Sequence, residues 1–191
     1  MLSDLRLTIC SPTKSGRQAA GFLLACVVAV GAPAVLAEER SPALAFSLQD
    51  QFDRTYTEKN WPGKILVLIV SDRKGSQFNG AWQAAIAGAL KPPASSQVQF
   101  VGVADVHSVP GFMHGLVKRY FPQDKNQGAL LDWDGWFKKT YAPVADQCNV
   151  LIFDPAGNLL VRLAGRETRS DDVAAAVRAI ENQAGIANTK P

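Results

Sequence analysis

Ile65-Leu66-Val67-Leu68-Ile69-Val70 is an unbroken run of six branched or aliphatic residues. A strand with one wet face alternates apolar and polar residues, so this run predicts a strand covered on both faces, as in the middle of a parallel sheet. After the polar turn 71–77, Phe78, Trp82, Ala85, Ile86 and Ala89 recur three or four apart, which predicts a helix over 78–90 ended by Lys91-Pro92-Pro93. Residues 98–104 (Val-Gln-Phe-Val-Gly-Val-Ala) predict a second strand. Pro110 opens another helical stretch, in which Phe112, Leu116, Val117 and Tyr120 form one face. Strand and helix alternate, so the fold class is α/β with a central sheet.

Further on, Ala129-Leu130-Leu131-Asp132 is short and apolar, Asp134-Gly135 reads as a turn, and 136–141 reads as a helical turn. The apolar segments 150–153 and 159–163 flank Asp154-Pro155-Ala156-Gly157-Asn158, a composition suited to a tight reversal, which predicts an antiparallel hairpin. Ser170 then caps a final helix over 170–183, with Asp171 and Asp172 in its first turn and Val173, Val177 and Ile180 on one face. On the N-terminal side, 38–63 reads as a largely polar extension, and 184–191 reads as a flexible tail.

The chain has 191 residues, 47% hydrophobic and 19% charged, which excludes wholesale disorder and allows one domain with its own core. Twenty basic against 17 acidic residues is too small an excess for a phosphate-binding surface, so nucleic acid is not an expected partner. Residues 1–37 differ from the rest. Arg6, Lys14 and Arg17 precede an apolar run over 19–30, and Val35-Leu36-Ala37 offers small residues for a signal peptidase. Export with cleavage after Ala37 is expected. Two alternatives keep the chain at the membrane: retention of the apolar segment, or lipidation at Cys26 in Leu23-Leu24-Ala25-Cys26. Cleavage removes Cys10 and Cys26 and leaves Cys148 as a single thiol with no intramolecular disulfide available.

The order strand, helix, strand, helix, hairpin, helix, and the residues within it, resemble the thioredoxin-like proteins of the alkyl hydroperoxide reductase and thiol-specific antioxidant type. Three pieces carry the resemblance: the strand 65–70 with its turn and helix, Leu130-Leu131-Asp132-Trp133-Asp134-Gly135 followed by Tyr141, and 150–158 (Val-Leu-Ile-Phe-Asp-Pro-Ala-Gly-Asn). The last two correspond to the paired LLDxDG and xLIDxDG signatures. Within the superfamily, the spacing and the missing active-site cysteines are most similar to the periplasmic YtfJ branch. The resemblance implies a central mixed sheet flanked by helices over 64–183, ending in a hairpin and a C-terminal helix.

Redox-active members carry Cys-x-x-Cys, or one peroxidatic cysteine, where this chain reads Lys74-Gly75-Ser76-Gln77. Neither serine nor lysine forms or exchanges a disulfide, so dithiol exchange and ordinary peroxidase chemistry are excluded at that turn. The family's cis-proline slot falls on Cys148 when counted back from Asp154; a shifted registration puts Pro143 there instead. In the first registration Cys148 lies beside the emptied turn, where Lys74 and Arg73 would favour its thiolate. In the bland reading it is a small, inert, partly buried residue.

The expected function is therefore non-catalytic binding of another cell-envelope protein in the remnant groove between the turn 71–77 and the loop around 146–149, with Lys74, Gly75, Ser76, Gln77, Gln147 and Cys148 as candidate binding residues. The alternative is a one-cysteine thiol oxidoreductase or peroxidase using Cys148. No cofactor and no metal are expected, because His107 and His114 have no third ligand at metal spacing, even with Asp105 nearby. Asp132 and Asp134 read as turn residues. Trp133, Trp136, Phe137 and Tyr141 form either core packing or an exposed aromatic patch.

Overall fold

In the computed structural model, residues 43–125 and 127–188 are described, with side chains as far as Gly185 in the last helix. In chain order the elements are β1 (Ser47–Asp50), β2 (Thr55–Thr57), β3 (Ile65–Ser71), α1 (Asn79–Ala89), α2 (Ala94–Gln97), β4 (Val98–Asp105), α3 (His114–Lys118), β5 (Leu130–Asp132), α4 (Trp136–Tyr141), β6 (Cys148–Phe153), β7 (Leu159–Gly165) and α5 (Ser170–Asn188). The signal-peptide reading, with Cys10 and Cys26, lies outside the described residues.

The strands form one mixed sheet in the order β2-β1-β5-β4-β3-β6-β7. β3 is parallel to β4, and β4 to β5; every other pair is antiparallel. The parallel β3–β4 pair needs a crossover, which α1 supplies. All seven residues of β3 are buried, as an apolar run without alternation requires. Because successive strand residues face opposite ways, β3 feeds two cores. Leu66, Leu68 and Val70 share one with Val103, Leu151, Phe153, Phe137 and Tyr141. Ile65, Val67 and Ile69 share the other with Trp82, Ile86, Val150, Ile152, Ala176 and Ile180. Helices α1 and α5 therefore cover one face of the sheet, and α4 covers the other.

The β6–β7 hairpin forms where the turn composition places it. Asp154 Oδ1 accepts the N–H groups of Ala156 and Asn158, and Gly157 takes φ +85°, a left-handed conformation that favours glycine. Both ends of the chain differ from the sequence reading. The segment read as an extension supplies β1 and β2, with Leu44, Phe46, Leu48 and Asp50 buried in alternation. Its place in the sheet comes from pairing with a distant strand, Gln49 opposite Leu131. Helix α5 continues to Asn188 rather than ending at Gln183, and Ala184 is buried against the core. Among the described residues no helix is long and apolar enough to cross a membrane.

Candidate functional site

Parallel pairing of β3 with β4 sets Ser71 opposite Ala104, so the loops that follow both strands emerge at the same end of the sheet, the carboxyl end of these strands, where α/β folds place ligands. The turn after β3 is tied to itself. Asp72 Oδ1 accepts the Gly75 N–H at 2.7 Å, the Ser76 hydroxyl donates to the Arg73 carbonyl, and the Gln77 amide donates to the Lys74 carbonyl. It is also tied to the loop before β6. The Asp146 N–H donates to Asp72 Oδ2 at 2.7 Å, and Lys74 Nζ pairs with Asp146 Oδ2 at 3.1 Å. Burial pushes the Asp72 carboxyl upward, but the N–H groups of Asp146, Gly75 and Lys74 outweigh it and hold the group below the usual aspartate value.

At the centre of this contact Gly75 is buried, and a Cβ added to it would stand 2.2 Å from the Gln147 carbonyl oxygen. Asn149 fixes the facing loop. Its Oδ1 accepts the Val144 N–H at 2.7 Å, and its Nδ2 donates to the carbonyls of Val144 and Gln147. The structure thus brings Lys74, Gly75 and Gln147 together, while Ser76 and Gln77 fold back onto their own turn.

Cys148 is a correction to the reading that Lys74 and Arg73 favour its thiolate. It is the first residue of β6, fully buried, and its side chain joins Val150 and Ile152 in the core beneath α1 and α5. Alternation along the strand explains this: the Gln147 backbone faces the turn, and the next side chain points into the apolar layer. Burial pushes the Cys148 thiol up to about 12. Burial thus favours the protonated thiol at neutral pH over the thiolate that thiol chemistry requires.

The expected groove is corrected as well. The two segments that were to flank it are in contact, and open space lies beside them. A cleft of about 690 Å³ runs between the turn, at Asp72, Arg73, Lys74 and Ser76, and the segment 104–121. A smaller cavity of about 270 Å³ adjoins it, lined by His107, Lys138, Val144 and Asn149 among others. Ser71, Asp72, Asp105 and Ser108 line both. The larger cleft has an apolar wall built from Val109, Met113, Leu116, Val117, Tyr120 and Phe121. The helical face read from the sequence at 112–120 is therefore not packed away. Phe112 and Tyr120 are 89% and 81% exposed, and Leu116 is exposed beside them. The apolar spacing of this face was visible in the sequence; its direction toward solvent was not.

The two histidines are engaged separately. His107 Nδ1 lies 2.5 Å from Asp105 Oδ1, and its Nε2 lies 3.1 Å from Lys138 Nζ. A hydrogen on Nδ1 satisfies both contacts, donating to the carboxylate and leaving Nε2 to accept from the ammonium. His114 instead stacks on Trp133, ring centroids 3.7 Å apart. Among the described residues no group of three or more His, Cys, Asp or Glu side chains is placed to hold a metal ion. Asp132 is fully buried and accepts the N–H groups of Trp136 and Phe137, each at 2.8 Å, so it holds the start of α4. Burial raises its carboxyl above the usual value, against those two hydrogen bonds. Phe137 and Tyr141 are core residues and Trp136 packs against them, so these three do not form an exposed patch.

No family model matches the chain, and no curated protein matches it. Solved structures do. The exposed lipoprotein thioredoxin of Streptococcus pneumoniae shares 19% identity and a TM-score of 0.51, covering 70% of this chain and 98% of that one. Copper-bound ScoI of Arabidopsis thaliana shares 15% identity and a TM-score of 0.53, covering 73% and 98%. Yeast Sco1 shares 17% identity and a TM-score of 0.52, covering 78% and 98%. At these identities the likeness is one of architecture, and it agrees with the strand order and parallel pairing described above: the chain has a thioredoxin-like fold.

Proposed function

We propose that the protein is an exported thioredoxin-fold module that works without thiol chemistry, by non-covalent contact with another protein of the cell envelope. The contact surface is the cleft between the turn 72–78 and the segment 104–121. One observation carries this reading: Lys74 and Gln77 stand where the Cys-x-x-Cys of thioredoxin-like enzymes would place its sulfurs, and between them Gly75 is packed backbone to backbone against Gln147. A side chain of any kind is excluded there without movement of the loop. The one cysteine among the described residues is buried and held protonated, which counts against the rival one-thiol enzyme. Exposed apolar side chains concentrated beside a cleft are a common mark of a protein contact site. The residues at 1–37 and the resemblance to the periplasmic YtfJ branch place the module outside the cytoplasm in this reading.

The test is site-specific photo-crosslinking in producing cells, with benzoylphenylalanine at Leu116 on the cleft and at Arg178 on α5 as the control. A discrete adduct with an envelope protein from position 116, absent from 178, is the expected result. No adduct from 116, or the same adducts from both positions, would contradict the reading.

A further inference from the structure

We propose that the cleft takes an extended polypeptide segment in which an apolar side chain lies close to a carboxylate. The inference rests on the contact-protein reading and names the chemistry of the occupant. The apolar part is set by the wall of Met113, Leu116, Val117 and Tyr120, of which Leu116 and Tyr120 are exposed. Desolvating such a surface against an apolar side chain is the main favourable term available there.

The carboxylate is set by charge. Four charged side chains line the cleft, and three are already answered. Asp72 accepts backbone N–H groups on both oxygens, Asp105 holds His107, and Lys74 pairs with Asp146. Arg73 lines the same cleft, is exposed, and has no ion-pair partner among the described residues. Its planar guanidinium presents a two-pronged donor suited to a carboxylate. Arg73 and the apolar wall line the same cleft, so one extended segment lying in it can meet both.

The probes are fluorescein-labelled octapeptides with a Leu-Phe-Glu, Leu-Phe-Gln, Leu-Phe-Lys or Ser-Ser-Glu core, measured by fluorescence anisotropy against residues 38–191. Leu-Phe-Glu should bind tightest and Leu-Phe-Lys weakest, with Ser-Ser-Glu showing no saturation. Arg73→Gln should weaken Leu-Phe-Glu by about fivefold, the scale of an exposed ion pair, and make it equal to Leu-Phe-Gln. Leu116→Ser and Tyr120→Ser, both at exposed positions, should weaken the two alike, with thermal melts confirming that each variant is folded. Equal binding of the Glu and Lys peptides, or no effect of Arg73→Gln, would overturn the carboxylate inference and leave the contact-protein reading standing. No binding by any peptide would overturn the inference, and it would overturn the reading too if position 116 also gave no photo-adduct.

Discussion

Gly75 meets the Gln147 carbonyl with no room for a Cβ, which would stand 2.2 Å from the oxygen and 2.6 Å from its carbon. Both obstructing atoms are backbone, so neither can swing aside as a side-chain tip would. Gly75→Ala should therefore push the loop before β6 outward and strain the Asp146 N–H bond to Asp72 and the Lys74–Asp146 pair. The expected cost is about 1–3 kcal/mol, the usual scale of overpacking. Urea denaturation checks it; an unchanged midpoint would show that the two loops are not held in contact.

The Cys148 thiol, raised by burial from 9.0 to about 12, makes alkaline stability measurable. The folded chain keeps its proton above pH 9 while the unfolded chain loses it, so unfolding releases a proton and stability falls as pH rises. The slope is about 1.4 kcal/mol per pH unit between pH 9 and 12. Tyr141, raised by burial from 10.0 to about 12, adds the same sign from pH 10. Between pH 9 and 10 the fall should belong chiefly to the cysteine and disappear in Cys148→Ala. At pH 8 the native thiol should react with Ellman's reagent only at the rate of unfolding.

Asp132 joins the end of β5 to the first turn of α4 through two hydrogen bonds from backbone N–H groups. Asp132→Ala should leave those N–H groups without their acceptor in a buried site and cost about 1–3 kcal/mol. Near-ultraviolet circular dichroism should change with it, because Trp136, Phe137 and Tyr141 pack against one another just beyond the cap.

The central strand was legible because Ile65 to Val70 carries its own evidence: six apolar residues without alternation allow few other structures. The hairpin at 154–158 was legible for a similarly local reason. Strand β1 was not, although Leu44, Phe46 and Leu48 recur at every second position, because a strand this short is decided by its partner, and Leu131 lies far along the chain. The position of Cys148 beside the loop could be counted from the hairpin, but not the direction of its side chain. β6 is buried on both faces, so its composition shows no preferred side. The site was half legible. The missing cysteines at 74–77 were plain, whereas the apolar face at 112–120 could not be read as an exposed wall, since spacing alone does not tell a packed face from a presented one.

The most direct measurement of the central claim is the reduction of insulin by dithiothreitol in the presence of the purified chain 38–191. The expected rate is that of dithiothreitol alone, because the turn at 74–77 holds no sulfur and the Cys148 thiol is buried and protonated. A clear acceleration that disappears in a folded Cys148→Ser variant would contradict the claim and assign the protein to thiol-disulfide chemistry.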